Sequence, residues 1–75
     1  MSIINLVELR ASREAVVVNI VGGIGARRKL ENLGVRIGST IVKKSSTQGP
    51  VVINCGNTQI AIGRGLASKI IVKEL

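Results

Sequence analysis

The spacing of hydrophobic and polar positions changes period several times along this chain, and each change marks an element. From Ala15 to Val21 the sequence AVVVNIV alternates, with Val16, Val18 and Ile20 on one side and Val17, Asn19 and Val21 on the other. A period of two is that of an extended strand, and its nearly continuous apolarity suits a central place in a sheet. Gly22 and Gly23 end the run. Over IGARRKLENL the apolar residues Ala26, Leu30 and Leu33 fall at i, i+4 and i+7, one face of a helix spanning about 24–33. Arg28 lies opposite that face, and Arg27 stands one turn before Glu31, a spacing that allows an ion pair. Gly34 follows the last apolar residue, where a left-handed C-terminal cap belongs.

Strand-forming residues resume from Ile37 to Lys44, and SSTQGP (45–50) reads as an exposed turn. The runs VVINC and TQIAI flank Gly56-Asn57, a two-residue signal for a tight hairpin. GRGLAS (63–68) is a loop or helical turn, and KIIVKEL supplies a last strand. Residues 2–10 carry Ile3, Leu6, Val7 and Leu9 behind Ser2, a candidate cap, and read as a short helix or turn. About five short strands with one inserted helix and short helical turns predict a mainly β fold, a small and strongly bent barrel whose closure protects strand edges. Ten valines and eleven isoleucines agree, because β-branched residues favour strands.

Composition narrows what such a barrel can do. With 75 residues, 1–75 is read as a single domain. A lone Cys55 forms no internal disulfide and suits a reducing compartment. No apolar run approaches the roughly 18 residues that span a bilayer. MSIINLVELR lacks the basic start and long apolar centre of a secretory leader, so a cytoplasmic location is expected.

Histidine and aspartate are absent, and the four glutamates, Glu8, Glu14, Glu31 and Glu74, are scattered. Metal sites need several convergent imidazole, thiolate or carboxylate ligands, and acid–base or nucleophilic catalysis needs a partnered pair. No catalytic residue, metal site or cofactor is therefore expected. Cys55 could be a ligand across a dimer, but beside a hairpin turn it reads better as a small apolar filler. Gly23-Ile24-Gly25 ahead of the helix has two glycines of a dinucleotide-binding turn, but Arg28 stands where the third should be, and no GxxxxGK[ST] occurs. These glycines are read as bending the chain.

The net charge is +7. Arg27-Arg28-Lys29 sits on the helix, and Lys43-Lys44, Arg64, Lys69 and Lys73 spread over the second half. Such charge binds phosphate backbones, attracts an acidic protein surface or keeps an apolar chain dissolved, and a solvated face is the default for most of these residues. Single-strand binders add aromatic platforms for the bases, and polyproline grooves are lined with aromatics. This chain has no Phe, Tyr or Trp. That excludes a polyproline groove and disfavours nucleic acid.

The order of pieces ARRKLENLGVRIG (26–38), GPVVI (49–53) and IAIGRGLASKIIV (60–72) resembles the FeoA family, small cytoplasmic accessory proteins of bacterial ferrous-iron uptake. The resemblance covers nearly the whole chain and is weakest before Ala15. Its pattern is a basic residue before Leu30, then Leu33-Gly34 and Gly38, then Ala67 with Ile70 and Val72. Two positions depart from it. Ile37 stands where the family commonly has a proline, and Ala11-Ser12 where it commonly has a glycine.

The resemblance implies an SH3-like β-barrel that works beside the Feo membrane permease, whose cytoplasmic part contains a GTP-binding domain. It implies docking there without carrying iron itself. Similar domains occur fused to iron-responsive repressors, and family descriptions mention transition-metal ions, for which this chain offers no evident ligand set. The expected partner-docking residues are Arg27, Arg28 and Lys29 for electrostatic steering, with Leu30 and Leu33 placing the helix. The alternative for the two leucines is the core. The competing function classes are a basic β-barrel that binds RNA or DNA and a metal-sensing interaction module.

Overall fold

The computed structural model describes residues 2–45 and 48–75. Its elements are β1 (Ile3–Asn5), β2 (Glu14–Ile20), α1 (Gly23–Leu33), β3 (Thr40–Ser45), β4 (Val51–Cys55), β5 (Thr58–Ile62), α2 (Arg64–Ala67) and β6 (Ile70–Glu74). The strands form one antiparallel sheet in the order β1-β6-β2-β3-β4-β5, which curls around the core as a small SH3-like barrel. Among the described residues, no helix is long and apolar enough to cross a membrane.

The helix and the hairpin follow the sequence closely. Helix α1 begins one residue before the expected boundary and ends in a left-handed Gly34, φ +100°. The Gly34 N–H donates to Glu31 O (3.0 Å) and the Val35 N–H to Leu30 O (2.9 Å). This paired capping pattern closes with the buried side chains of Leu30 and Val35. In the hairpin, Cys55 pairs with Thr58 across Gly56-Asn57. Gly56 has φ +64° while Asn57 does not enter the left-handed region, the signature of a type II′ turn. Of the turn expected over 45–50, residues 46 and 47 lie outside the described residues, and 48–50 are exposed. The third strand starts at Thr40 rather than Ile37, because residues 36–39 form a turn with Gly38 at φ +96°.

Two expectations are corrected. Residues 3–5 form a sixth strand, not a helix: β1 pairs with β6 from Ile3↔Lys73 to Asn5↔Ile71, and the turn begins only after it. Asn5 starts that turn, its side-chain oxygen accepting from the Val7 (2.9 Å) and Glu8 (3.2 Å) N–H groups. Ser2 caps nothing; its carbonyl accepts from the Glu74 N–H. The second correction concerns β2. Its ladder with β6 runs Val17↔Val72 and then Asn19↔Ile71, leaving Val18 unpaired in a bulge. The inserted residue inverts the alternation, so Ala15 and Val17 face the core before the bulge and Ile20 faces it after. Val16 and Val18 therefore do not share Ile20's face.

Candidate functional site

Helix α1 leaves β2 with almost no connection. Gly22 (φ +97°) and Gly23 (φ +83°) are both left-handed, a reversal that side chains with a Cβ resist. At Gly22 a Cβ would also lie 2.9 Å from Lys69 Cδ and 3.0 Å from its Nζ, so the lysine chain crosses directly over the turn. No side chain caps the start of α1 and its first turn holds no acidic residue. The positive end of the helix dipole is thus uncompensated by any carboxylate of that turn.

The sequence-predicted docking residues divide on this helix. Arg27, Arg28 and Lys29 are exposed. Arg27 Nε lies 3.5 Å from Glu31 Oε2, the ion pair its spacing suggested. A further ion pair joins Arg13 and Glu74, and neither pair involves Arg28 or Lys29, whose charges are uncompensated. Leu30 must be removed from the docking set: it is 0% exposed and anchors the helix to the core, leaving nothing for a partner to touch. Leu33 is 41% exposed and remains on the surface.

Sequence reasoning overlooked Ile24, which is 70% exposed in the first turn. Ile24, Arg27, Arg28 and Glu31 stand at i, i+3, i+4 and i+7, a second helical face whose spacing was available in the sequence. With Ile20 and Gly23 they line an open groove of about 530 Å³ between the end of β2 and the helix.

Lys43 is the other surprise, and it corrects the reading of that residue as part of a solvated basic face. Its side chain is 0% exposed. The ammonium donates to three backbone carbonyls of the turn after β1: Leu6 O (3.1 Å), Val7 O (2.8 Å) and Leu9 O (2.5 Å). Its main chain holds the same segment, the carbonyl accepting from the Ser12 N–H (2.7 Å) and the N–H donating to Arg13 O (3.1 Å). Burial, and secondarily the Arg64 guanidinium, lower its pKa below the ordinary 10.5. The signal was present in TIVKKS: strand alternation puts Lys43 on the same side as Ile41, which is buried.

Cys55 is half-buried against the core, with Sγ 3.6 Å from Gly34 O. Among the described residues no three of His, Cys, Asp and Glu converge on a point where a metal ion could sit.

A curled six-stranded sheet with a helix between its second and third strands is an SH3-like β fold, and its exposed chemistry here is basic. The chain belongs to the FeoA domain family, which it matches over residues 4–74. It is 40% identical over 65 residues, 87% of this chain and 79% of the relative, to a Methanocaldococcus jannaschii protein named for Fe(2+) transport protein A. Among solved structures, a crystal structure of an iron uptake regulatory protein (FeoA) superposes with a TM-score of 0.94 at 39% identity, covering 100% of both chains. A manganese-dependent transcriptional repressor shares the fold over 97% of this chain and 42% of its own, with a TM-score of 0.88 at 17% identity. The family is one of accessory proteins of ferrous-iron uptake and is not known as an enzyme family.

Proposed function

We propose that residues 1–75 act as one FeoA-like domain in the cytoplasm, regulating ferrous-iron uptake by docking on the cytoplasmic GTPase-containing part of the Feo permease through the outward side of α1. Iron is then the permease's cargo and needs no ligand set in this chain. The observation that carries the reading is the state of Arg28 and Lys29. They are exposed, without ion pairs, and held on a helix that Leu30 and the Gly34 cap fix firmly to the barrel. Charge so placed steers encounter with an acidic surface and does little for stability.

The test is titration of this protein into the purified cytoplasmic domain of the permease at low salt. The parent should bind, and Arg28→Glu should bind more weakly with its thermal unfolding unchanged. Equal binding by parent and variant would remove α1 as the docking element.

A further inference from the structure

Resting on that docking reading, we infer that the groove between the end of β2 and the first two turns of α1 receives a segment of the partner protein that presents an apolar side chain flanked by carboxylates. The floor is apolar, formed by Ile20 at its base and by Ile24, which stands 70% exposed at its edge. A large β-branched side chain in the first turn of a helix has no local reason to face water, and covering it removes apolar area at about 25 cal/mol per Å². The rim is cationic. Arg27 is committed to Glu31, while Arg28 is uncommitted and faces the same opening.

The surroundings add positive charge without relief. The start of α1 has no acidic residue, and the Lys69 chain lies over Gly22 beside it. The carboxylate of Glu31 is already engaged, so no acidic side chain of the groove is free to meet Arg28. An acidic segment with an apolar tip complements both halves of this surface. A purely anionic polymer would match only the rim, which favours protein over nucleic acid as the occupant.

Two substitutions separate the halves. Ile24→Ser removes the apolar edge without changing charge, and Arg28→Glu reverses the rim. Both positions are exposed. Far-UV circular dichroism and urea unfolding should match the parent and confirm the fold. Arg10→Glu, an equal charge reversal outside the groove, serves as control. The probes are the purified cytoplasmic domain of the permease and, separately, a duplex DNA of about 20 base pairs, titrated by calorimetry at several salt concentrations.

The expected result is that Ile24→Ser weakens binding to the domain about tenfold and leaves its salt dependence unchanged. Arg28→Glu should weaken binding and flatten the salt dependence, and Arg10→Glu should stay close to the parent. Parent-like binding by Ile24→Ser with weakened binding by Arg28→Glu would overturn the groove and leave docking through α1 standing. Parent-like binding by both variants would overturn the groove and α1 as the docking element together. No binding by the parent would overturn the docking reading and the groove with it. Tighter binding to DNA than to the domain, sensitive to Arg28→Glu and indifferent to Ile24→Ser, would assign the rim to phosphates and overturn the occupant argued here.

Discussion

Replacing Lys43 by methionine keeps the length of the buried side chain and removes its ammonium, which isolates the role of the three hydrogen bonds. Leu6 O retains a second bond, from the Leu9 N–H at 3.3 Å, whereas Val7 O and Leu9 O lose the donor that the ammonium provides. An orphaned buried carbonyl costs about 1–3 kcal/mol. Leu9 O is buried and Val7 O part-buried, so the two come to roughly 2–4 kcal/mol, and sparing the ammonium its own desolvation offsets part of that, leaving a loss of about 1–3 kcal/mol. Against a total of ~5–15 kcal/mol for a domain, such a loss is easily measured. Urea unfolding followed by far-UV circular dichroism is the suitable assay, since the chain has no tyrosine or tryptophan to report by fluorescence. Lys44→Met, at an exposed neighbouring position, should stay within about 0.5 kcal/mol of the parent. If Lys43→Met also stayed within that margin, the idea that the ammonium pins the turn after β1 would be refuted.

The same residue sets a pH dependence. Because burial lowers its pKa in the folded protein, the unfolded chain binds more protons between that lowered value and 10.5, and the stability contributed by Lys43 rises with pH across this window. The difference in urea midpoint between parent and Lys43→Met should therefore widen as pH is raised toward 10.5, and a constant gap would contradict it. Ser12, with φ +72°, occupies a left-handed position that glycine adopts without steric cost. Relief of about 1–2 kcal/mol of strain, less the flexibility that glycine adds to the unfolded chain, predicts that Ser12→Gly gains roughly 0.5–1 kcal/mol by the same assay. Leu30→Ala should cost about 2–5 kcal/mol, whereas Leu33→Ala, at a residue 41% exposed, should cost less than about 1 kcal/mol. Equal costs at the two leucines would show that the helix is not anchored as described.

What could be read from the sequence was whatever local chemistry decides. Helix α1 announced itself through Ala26, Leu30 and Leu33 and its terminal Gly34, and the β4–β5 hairpin through Gly56-Asn57, because spacing and left-handed glycines act within a few residues. Strand β1 was missed because three residues have little preference of their own; their strand state comes from pairing with β6, some seventy positions later. The bulge at Val18 was missed for a related reason. A period of two carries no mark of an inserted residue where the run is apolar on both of its faces, as it is through Val16, Val17 and Val18.

The docking face proposed above was legible in its charges, Arg27, Arg28 and Lys29, which are exposed, but not in its apolar part. The pattern that drew attention to Leu30 was a core pattern, and Ile24 lay off it. Lys43 ran against the expectation that lysine faces water. Strand alternation pointed inward, but only the carbonyls of a turn more than thirty residues earlier make that position tolerable for an ammonium.

The pairing of β1 with β6 lays the two ends of the barrel side by side. Ser2 O accepts from the Glu74 N–H at 3.0 Å, and the Leu75 N–H donates to Glu14 O at the same distance. A polypeptide that enters and leaves a fold at one spot behaves like a cartridge: a host chain can receive it at a single surface loop with short joints and no long connecting segment. The arrangement also makes the order of the chain nearly arbitrary. A short linker between the ends, with a new opening at Gly56-Asn57, would keep every strand pairing while splitting only the tightest turn.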